Sequence, residues 1–369
     1  MIPTSFSQLI GNTFIKECLQ RLIKKKNVGH SLLFAGPEGI GKSLFATVLA
    51  ALVMSEDEDN AHQHSQKIAQ GMHPDVHIYK PEGKIGMHSI QSLRQMCDEI
   101  HLPPYEAKYK IFIVHDAHRM LTYSANALLK TFEEPPPQTK IILLTHAHKA
   151  LLPTILSRCS SYFFQSIDEQ EIYNYLKKIY PQQEQNVKVW ANLSQGSLGQ
   201  ALKLAKRGED HLRTLMLNAF SNGSLHNYKS LLKLSELLVQ EIEARKKSLG
   251  TEIKEIQYKK SDCLTASQIE MLEKEVEGTS ALELVQETNI LFYTILSWYR
   301  DLSLLQAAGD RRLLINLDYE NALEAALQFD QLLPLEDIQK AIEETQLALQ
   351  RSTSLNICIE NLLLKLVRF

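Results

Sequence analysis

Short, continuously apolar runs alternate with amphipathic stretches along the first 165 residues. Ser31-Leu32-Leu33-Phe34-Ala35 halts at Gly36; Tyr109-Lys110-Ile111-Phe112-Ile113-Val114 and Lys140-Ile141-Ile142-Leu143-Leu144-Thr145 follow the same style, with Val76-His77-Ile78-Tyr79 and Tyr162-Phe163-Phe164 as weaker versions. Runs of this length without polar alternation fit strands buried on both faces of a parallel sheet. Helical periodicity predicts helices over 6–30, 42–54, 90–100 and 125–134, the last stopped by Pro135-Pro136-Pro137. Residues 55–72, which open with Glu56-Asp57-Glu58-Asp59, read as a solvated loop or insertion. Strands alternating with helices imply βαβ units.

Beyond Gln165 the strand signal ends. Several short helices are expected over 166–208, around Gly196-Ser197-Leu198-Gly199, and from 209 the pattern is helical almost throughout. Leu355, Ile359, Leu362, Leu363 and Leu366 share one helical face. The expected organisation is an α/β domain over 1–165, a small helical domain over 166–208 and an all-α domain over 209–369. Residues 243–275, rich in Lys and Glu, read as an exposed excursion.

Composition narrows the function classes. The chain is 44% hydrophobic and 22% charged, ordinary for a globular protein. Forty Lys and Arg against 43 Asp and Glu give a formal charge of −3, so a basic face that grips DNA unaided is not expected. Five scattered cysteines without a CxxC pair fit a reducing cytosol, and the N-terminus lacks a signal-peptide layout. No run nears the roughly 18 apolar residues that span a bilayer.

The strongest motif is Gly36-Pro37-Glu38-Gly39-Ile40-Gly41-Lys42-Ser43, a complete phosphate loop set between a buried strand and an amphipathic helix. Gly36, Gly39 and Gly41 let backbone N–H groups curl round phosphate oxygens, and the following helix turns its positive end to the same anion. Lys42 is suited to the β- and γ-phosphates and the Ser43 hydroxyl to Mg²⁺, so ATP or ADP with Mg²⁺ is the expected ligand. Hydrolysis also needs an acid at the end of a second strand. There the chain reads Ile113-Val114-His115-Asp116-Ala117-His118, with His115 where the metal-side carboxylate is expected and Asp116 one place on. Imidazole is a poor ligand for Mg²⁺, which points to weak turnover. A register slip that makes Asp116 the metal residue remains open.

Several further segments resemble the clamp-loader branch of AAA+ proteins in bacterial DNA polymerase III. They are Phe6 with Ile10-Gly11-Asn12, His30, His73-Pro74-Asp75, Tyr105 to Lys110, Ala125-Asn126-Ala127-Leu128-Leu129-Lys130-Thr131-Phe132-Glu133-Glu134-Pro135-Pro136, and Leu151 to Ser157-Arg158-Cys159. The resemblance is dense over 6–160, fair to 208 and architectural beyond, where Trp298-Tyr299-Arg300-Asp301 and Leu313-Leu314-Ile315-Asn316 are similar to text in delta-prime chains.

That resemblance implies a P-loop AAA+ domain with a parallel sheet, a helical lid and a helical collar that holds subunits in a ring. It implies gamma/tau and delta subunits, the sliding clamp and primed DNA as partners, a cytoplasmic location and no membrane. It assigns Arg158 as a finger reaching a neighbour's ATP, with pairing to a surface carboxylate as the plainer reading. Thr145 becomes the γ-phosphate sensor or a simple strand-end threonine. Gly199 stands where motor subunits carry a sensing arginine; with His115, this favours the non-motor, delta-prime type with little turnover over a gamma/tau-type ATP-hydrolysing motor. An unrelated P-loop kinase or DNA-dependent ATPase would leave the Ser157-Arg158-Cys159 segment unexplained. The four zinc-binding cysteines of many relatives are missing after the P-loop helix; His62, His64, His73 and His77 are no thiolate set, and no zinc site is expected.

Overall fold

The computed structural model describes residues 3–55, 58–83, 86–207, 210–258 except 224 and 226, 266–327, and 333–366 except 352. Contacts divide the chain into two units, one of residues 1–206 with 270–278, the other of 207–269 with 279–369.

The first unit runs α1 (Thr13–Lys24), β1 (Ser31–Ala35), α2 (Lys42–Met54), α3 (Glu58–Ala69), β2 (Val76–Tyr79), α4 (Ile90–Ile100), β3 (Lys110–Val114), α5 (Thr122–Glu133), β4 (Thr139–Thr145), α6 (Pro153–Leu156), β5 (Ser160–Phe163), α7 (Glu169–Ile179), α8 (Glu184–Leu193) and α9 (Leu198–Arg207). All strand pairs are parallel, in the order β2-β3-β4-β1-β5. Period-two alternation explains why the strands are apolar throughout. Leu32, Phe34, Ile111, Ile113, Ile142 and Leu144 enter one core with α1 and α2; Leu33, Ala35, Phe112, Val114, Ile141 and Leu143 enter a second core with α4 and α5. Three short helices, α7 to α9, close on a third core around Ile172, Leu176, Trp190 and Leu204.

Two expectations are corrected. Residues 58–69 are helical rather than a solvated loop, because Ala61, Ser65 and Ile68 form an i, i+4, i+7 stripe that buries against α2. The stretch 6–30 is not one helix. A short 3₁₀ turn at Phe6–Gln8 is separated from α1 by Gly11 and Asn12, both in left-handed backbone, and an α-helix cannot run through them.

The second unit holds α10 (His211–Ser221), α11 (Tyr228–Tyr258), most of α12 (Ala266–Gln306), α13 (Glu320–Ala326), α14 (Leu335–Gln350) and α15 (Leu355–Leu366). On α15, Cys358, Ile359, Leu362, Leu363 and Leu366 are buried, as the 3.6-residue period requires. Asp301, fully buried, accepts N–H bonds from Ile315 and Asn316 and ties α12 to the segment that follows it. The expected excursion over 243–275 is helical backbone to Tyr258 and again from Ala266; residues 259–265 and the side chains of 252–272 lie outside the described residues. No helix among the described residues is long and apolar enough to cross a membrane.

Candidate nucleotide and subunit-facing site

β1 delivers the chain directly to the phosphate loop. The Gly36 N–H donates to the Thr145 carbonyl of β4 at 3.1 Å, so the sheet fixes where the loop begins. Gly36, Gly39 and Gly41 all have positive φ. At Gly36 the requirement is also steric, since a Cβ would stand 2.4 Å from the Phe164 carbonyl oxygen. Ile40, 1% exposed, anchors the loop in the core beside Phe45 and Phe164. α2 then starts with no side chain capping its first N–H groups and no acid in its first turn, the donor array a phosphate needs. A Cβ on Gly41 would meet nothing within 4 Å, so the loop crest is open, and the residues present fit a nucleotide phosphate.

Lys42 Nζ donates to the Gly36 carbonyl at 2.7 Å and the Pro37 carbonyl at 2.5 Å. Burial pushes its ammonium down to about 8, against the opposing pull of Glu38 and Asp116. Ser43 is exposed at the start of α2.

β3 ends at Val114. The His115 N–H donates to the Tyr79 carbonyl at 2.8 Å, and the His115 carbonyl lies 2.7 Å from His88 Nε2. Burial, aided by Lys80, pushes the His115 imidazole down to about 4, so it is neutral at physiological pH. Asp116 adopts left-handed backbone at φ 46°, a conformation Asp tolerates. Asp116 is among the charges that act on Lys42, so a carboxylate stands within electrostatic reach of the loop's ammonium. Burial works to raise the Asp116 carboxyl, but His146, His118 and His115 outweigh it and hold the group below its usual range.

Thr145 is fully buried. Its Oγ1 accepts the Ala147 N–H at 3.1 Å and lies 3.1 Å from His118 Nδ1. The hydroxyl is thus engaged locally, and the side chain that crowds Asp116 is instead His146, 3.6 Å away. Sequence reasoning missed His146; its one signal was a histidine directly after the β4 threonine.

Gly199 has a structural reason. Its N–H donates to the Gly39 carbonyl at 2.8 Å, and a Cβ there would stand 3.1 Å from the Gly39 Cα and oxygen. The start of α9 lies backbone to backbone on the phosphate loop, so any side chain at 199 would have to push the loop by a few tenths of an ångström.

Arg158 follows α6 with its side chain 33% exposed. It bonds Glu133 Oε1 at 2.6 Å, the Thr154 carbonyl at 3.0 Å and Ser157 Oγ at 3.3 Å. Glu133 is itself half exposed, so the ion pair contributes under about 1 kcal/mol and holds the guanidinium only loosely. The side chain is outside every core, paired with a surface carboxylate.

Spacing alone did not suggest that His64 and His73 meet. Their Nδ1 and Nε2 atoms are 2.7 Å apart, with Glu106 beside them. The bonding explains the pair. The Asp75 N–H donates to His73 Nδ1, so the His73 proton sits on Nε2 and is donated to His64. His73 therefore offers no lone pair inward. His62 is exposed, and His77 Nδ1 lies 3.0 Å from Glu99 instead.

Residues 11–168 match the family model described as DNA polymerase III, delta subunit. Similar curated proteins include DNA polymerase III subunit gamma of Buchnera aphidicola subsp. Schizaphis graminum, 27% identical over 212 residues that cover 55% of this chain and 58% of that protein. The tau subunit of Bacillus subtilis is 31% identical over 212 residues, covering 55% and 37%. The tau subunit of Escherichia coli is 26% identical over 252 residues, covering 64% and 38%. The match thus spans 37–58% of the length of these relatives, under two thirds in each. Among solved structures, the Thermotoga maritima RuvB Holliday junction branch migration motor aligns with 16% identity and a TM-score of 0.40, over 64% of this chain and 72% of that one. A gamma subunit-related protein of the same organism aligns with 19% identity and a TM-score of 0.37, over 90% and 98%.

Proposed function

We propose that this chain, whose residues 11–168 match the family model described as DNA polymerase III, delta subunit, is a delta-prime-type subunit of an AAA+ clamp loader. It holds ATP or ADP with Mg²⁺ at Gly36, Gly39, Gly41, Lys42 and Ser43, turns it over slowly if at all, and lends Arg158 to the ATP site of an adjoining subunit. Gamma/tau and delta subunits are its neighbours, and the assembly places the sliding clamp on primed DNA in the cytoplasm. Bound nucleotide supplies the phosphoryl group and Mg²⁺ its charge neutralisation; the chain's own residues bind and orient.

The observation that carries the reading is the state of Arg158, an always-charged, planar donor held at the surface by a pair worth so little that a phosphate can replace it. Weak turnover is supported by His115, neutral beside Asp116, and by Gly199 packed where a cationic sensor would have to stand.

A gamma/tau-type motor is the second reading. It draws support from the complete phosphate loop, from Asp116 acting on Lys42 and from the gamma- and tau-named relatives. Two measurements separate them. Arg158→Ala in the reconstituted loader is expected to lower ATPase while leaving the chain's melting temperature within about 3 °C; unchanged ATPase removes the finger. Turnover by the isolated chain that vanishes in Lys42→Ala favours the motor.

A further inference from the structure

We propose that Asp116, His118 and His146 form a binding site for one divalent transition-metal ion of the zinc, cobalt or manganese class. One donor atom from each residue lies within 4.8 Å of the other two. His146 Nδ1 is 3.6 Å from Asp116 Oδ1, and the two imidazole rings stand edge to face with centroids 4.1 Å apart. A tetrahedral ion with ligand bonds near 2.05 Å holds its donors about 3.3 Å apart, so Asp116 and His146 stand close to that spacing, while donor pairs separated by up to 4.8 Å must draw in further as the ion binds.

The chemistry selects the ion. Two imidazoles and one carboxylate suit borderline metals, whereas Mg²⁺ takes oxygen donors. Three protein ligands leave coordination positions open to water or a phosphate oxygen. The outer contacts are in place as well. Thr145 Oγ1, itself anchored by the Ala147 N–H, stands 3.1 Å from His118 Nδ1, the contact that orients a ligating imidazole through its far nitrogen. Asp116 is held on rigid backbone between β3 and the 3₁₀ turn Ala117–Arg119. His146 is exposed, which gives the ion an entry path. Lys42 and Arg119 are the nearby cations, and the site must bind against their charge.

The contrast with His64, His73 and Glu106 sharpens the assignment. That trio also lies within 4.8 Å, but its His–His hydrogen bond uses the lone pair a metal would need.

The proposal does not rest on the delta-prime or finger reading, and its test needs neither nucleotide nor partners. The chelator-stripped full chain is titrated with Co²⁺, following visible d–d absorption and calorimetry. One equivalent is expected to bind, to be displaced by Zn²⁺ and to survive a large excess of Mg²⁺. His146→Gln and His118→Gln are each expected to weaken binding at least tenfold, while His64→Gln leaves it unchanged. His146 is exposed, so its replacement does not threaten the fold. No uptake by the natural chain, uptake unaffected by both site variants, uptake lost in His64→Gln, or ready displacement by Mg²⁺ would each overturn the assignment. The Arg158 assay stands or falls separately.

Discussion

Replacing Asp75 with alanine removes one carboxylate and releases a whole loop. Asp75 is 1% exposed, one residue before β2. Its Oδ1 accepts the Tyr105 N–H, and its Oδ2 accepts those of Glu106 and Ala107, at 2.5 to 2.8 Å. Its carbonyl takes the Ile111 N–H at 2.8 Å, a bond the variant keeps. A hydrogen bond to a charged group contributes about 1.5–3 kcal/mol. Tyr105 and Glu106 are exposed, so water recovers part of two of the three. The expected loss is therefore about 3–4 kcal/mol rather than the full sum. Burial tends to raise the Asp75 carboxyl, but the three N–H groups outweigh it and hold it below the usual carboxylate range. A depressed carboxyl stabilises above its unfolded pKa and loses that contribution as pH drops through the folded value. The gap between natural chain and variant should thus hold steady from pH 8 to 6 and close progressively as pH falls below about 5. Urea unfolding gives the magnitude, and hydrogen exchange over 103–110 localises it. A gap under about 1 kcal/mol, or unchanged protection of the 105–107 amides, would refute the reasoning.

Two other substitutions probe the site and the second unit. Lys42→Met removes the ammonium that bonds the Gly36 and Pro37 carbonyls and is expected to weaken ADP binding roughly 10- to 100-fold, read by fluorescence titration; equal affinity would exclude the loop as the phosphate site. Asp301→Ala leaves the Ile315 and Asn316 N–H groups and the Asn316 side-chain amide short of a buried acceptor. It should lower stability by about 3–5 kcal/mol in urea, and a change under about 1 kcal/mol would show the clamp to be redundant.

Periodicity located β1 and α2 to the residue and β3 and β4 to within one, because strands buried on both faces leave an unbroken apolar record. It failed at 58–69, where the stripe rests on an alanine, a serine and one isoleucine, too little hydrophobicity to stand out among acids and glutamines. It failed again near Gly11 and Asn12, whose left-handed backbone interrupts a run that local propensity would continue. The phosphate loop was legible because its chemistry lies in eight consecutive residues. The His118–His146 cluster was not, because its members sit on loops after β3 and β4 and become neighbours only when those strands pair.

The amino-acid order by itself fixed the phosphate loop, the strand–helix alternation and the presence of a cation at position 158, since each is written in neighbouring residues or a short period. Tertiary structure alone decided that Asp116 acts on Lys42, that Gly199 lies against Gly39, and that His73 gives its proton to His64. These are matters of which groups meet across tens of residues, and hydrogen-bond direction and steric room exist only once the chain has brought them together.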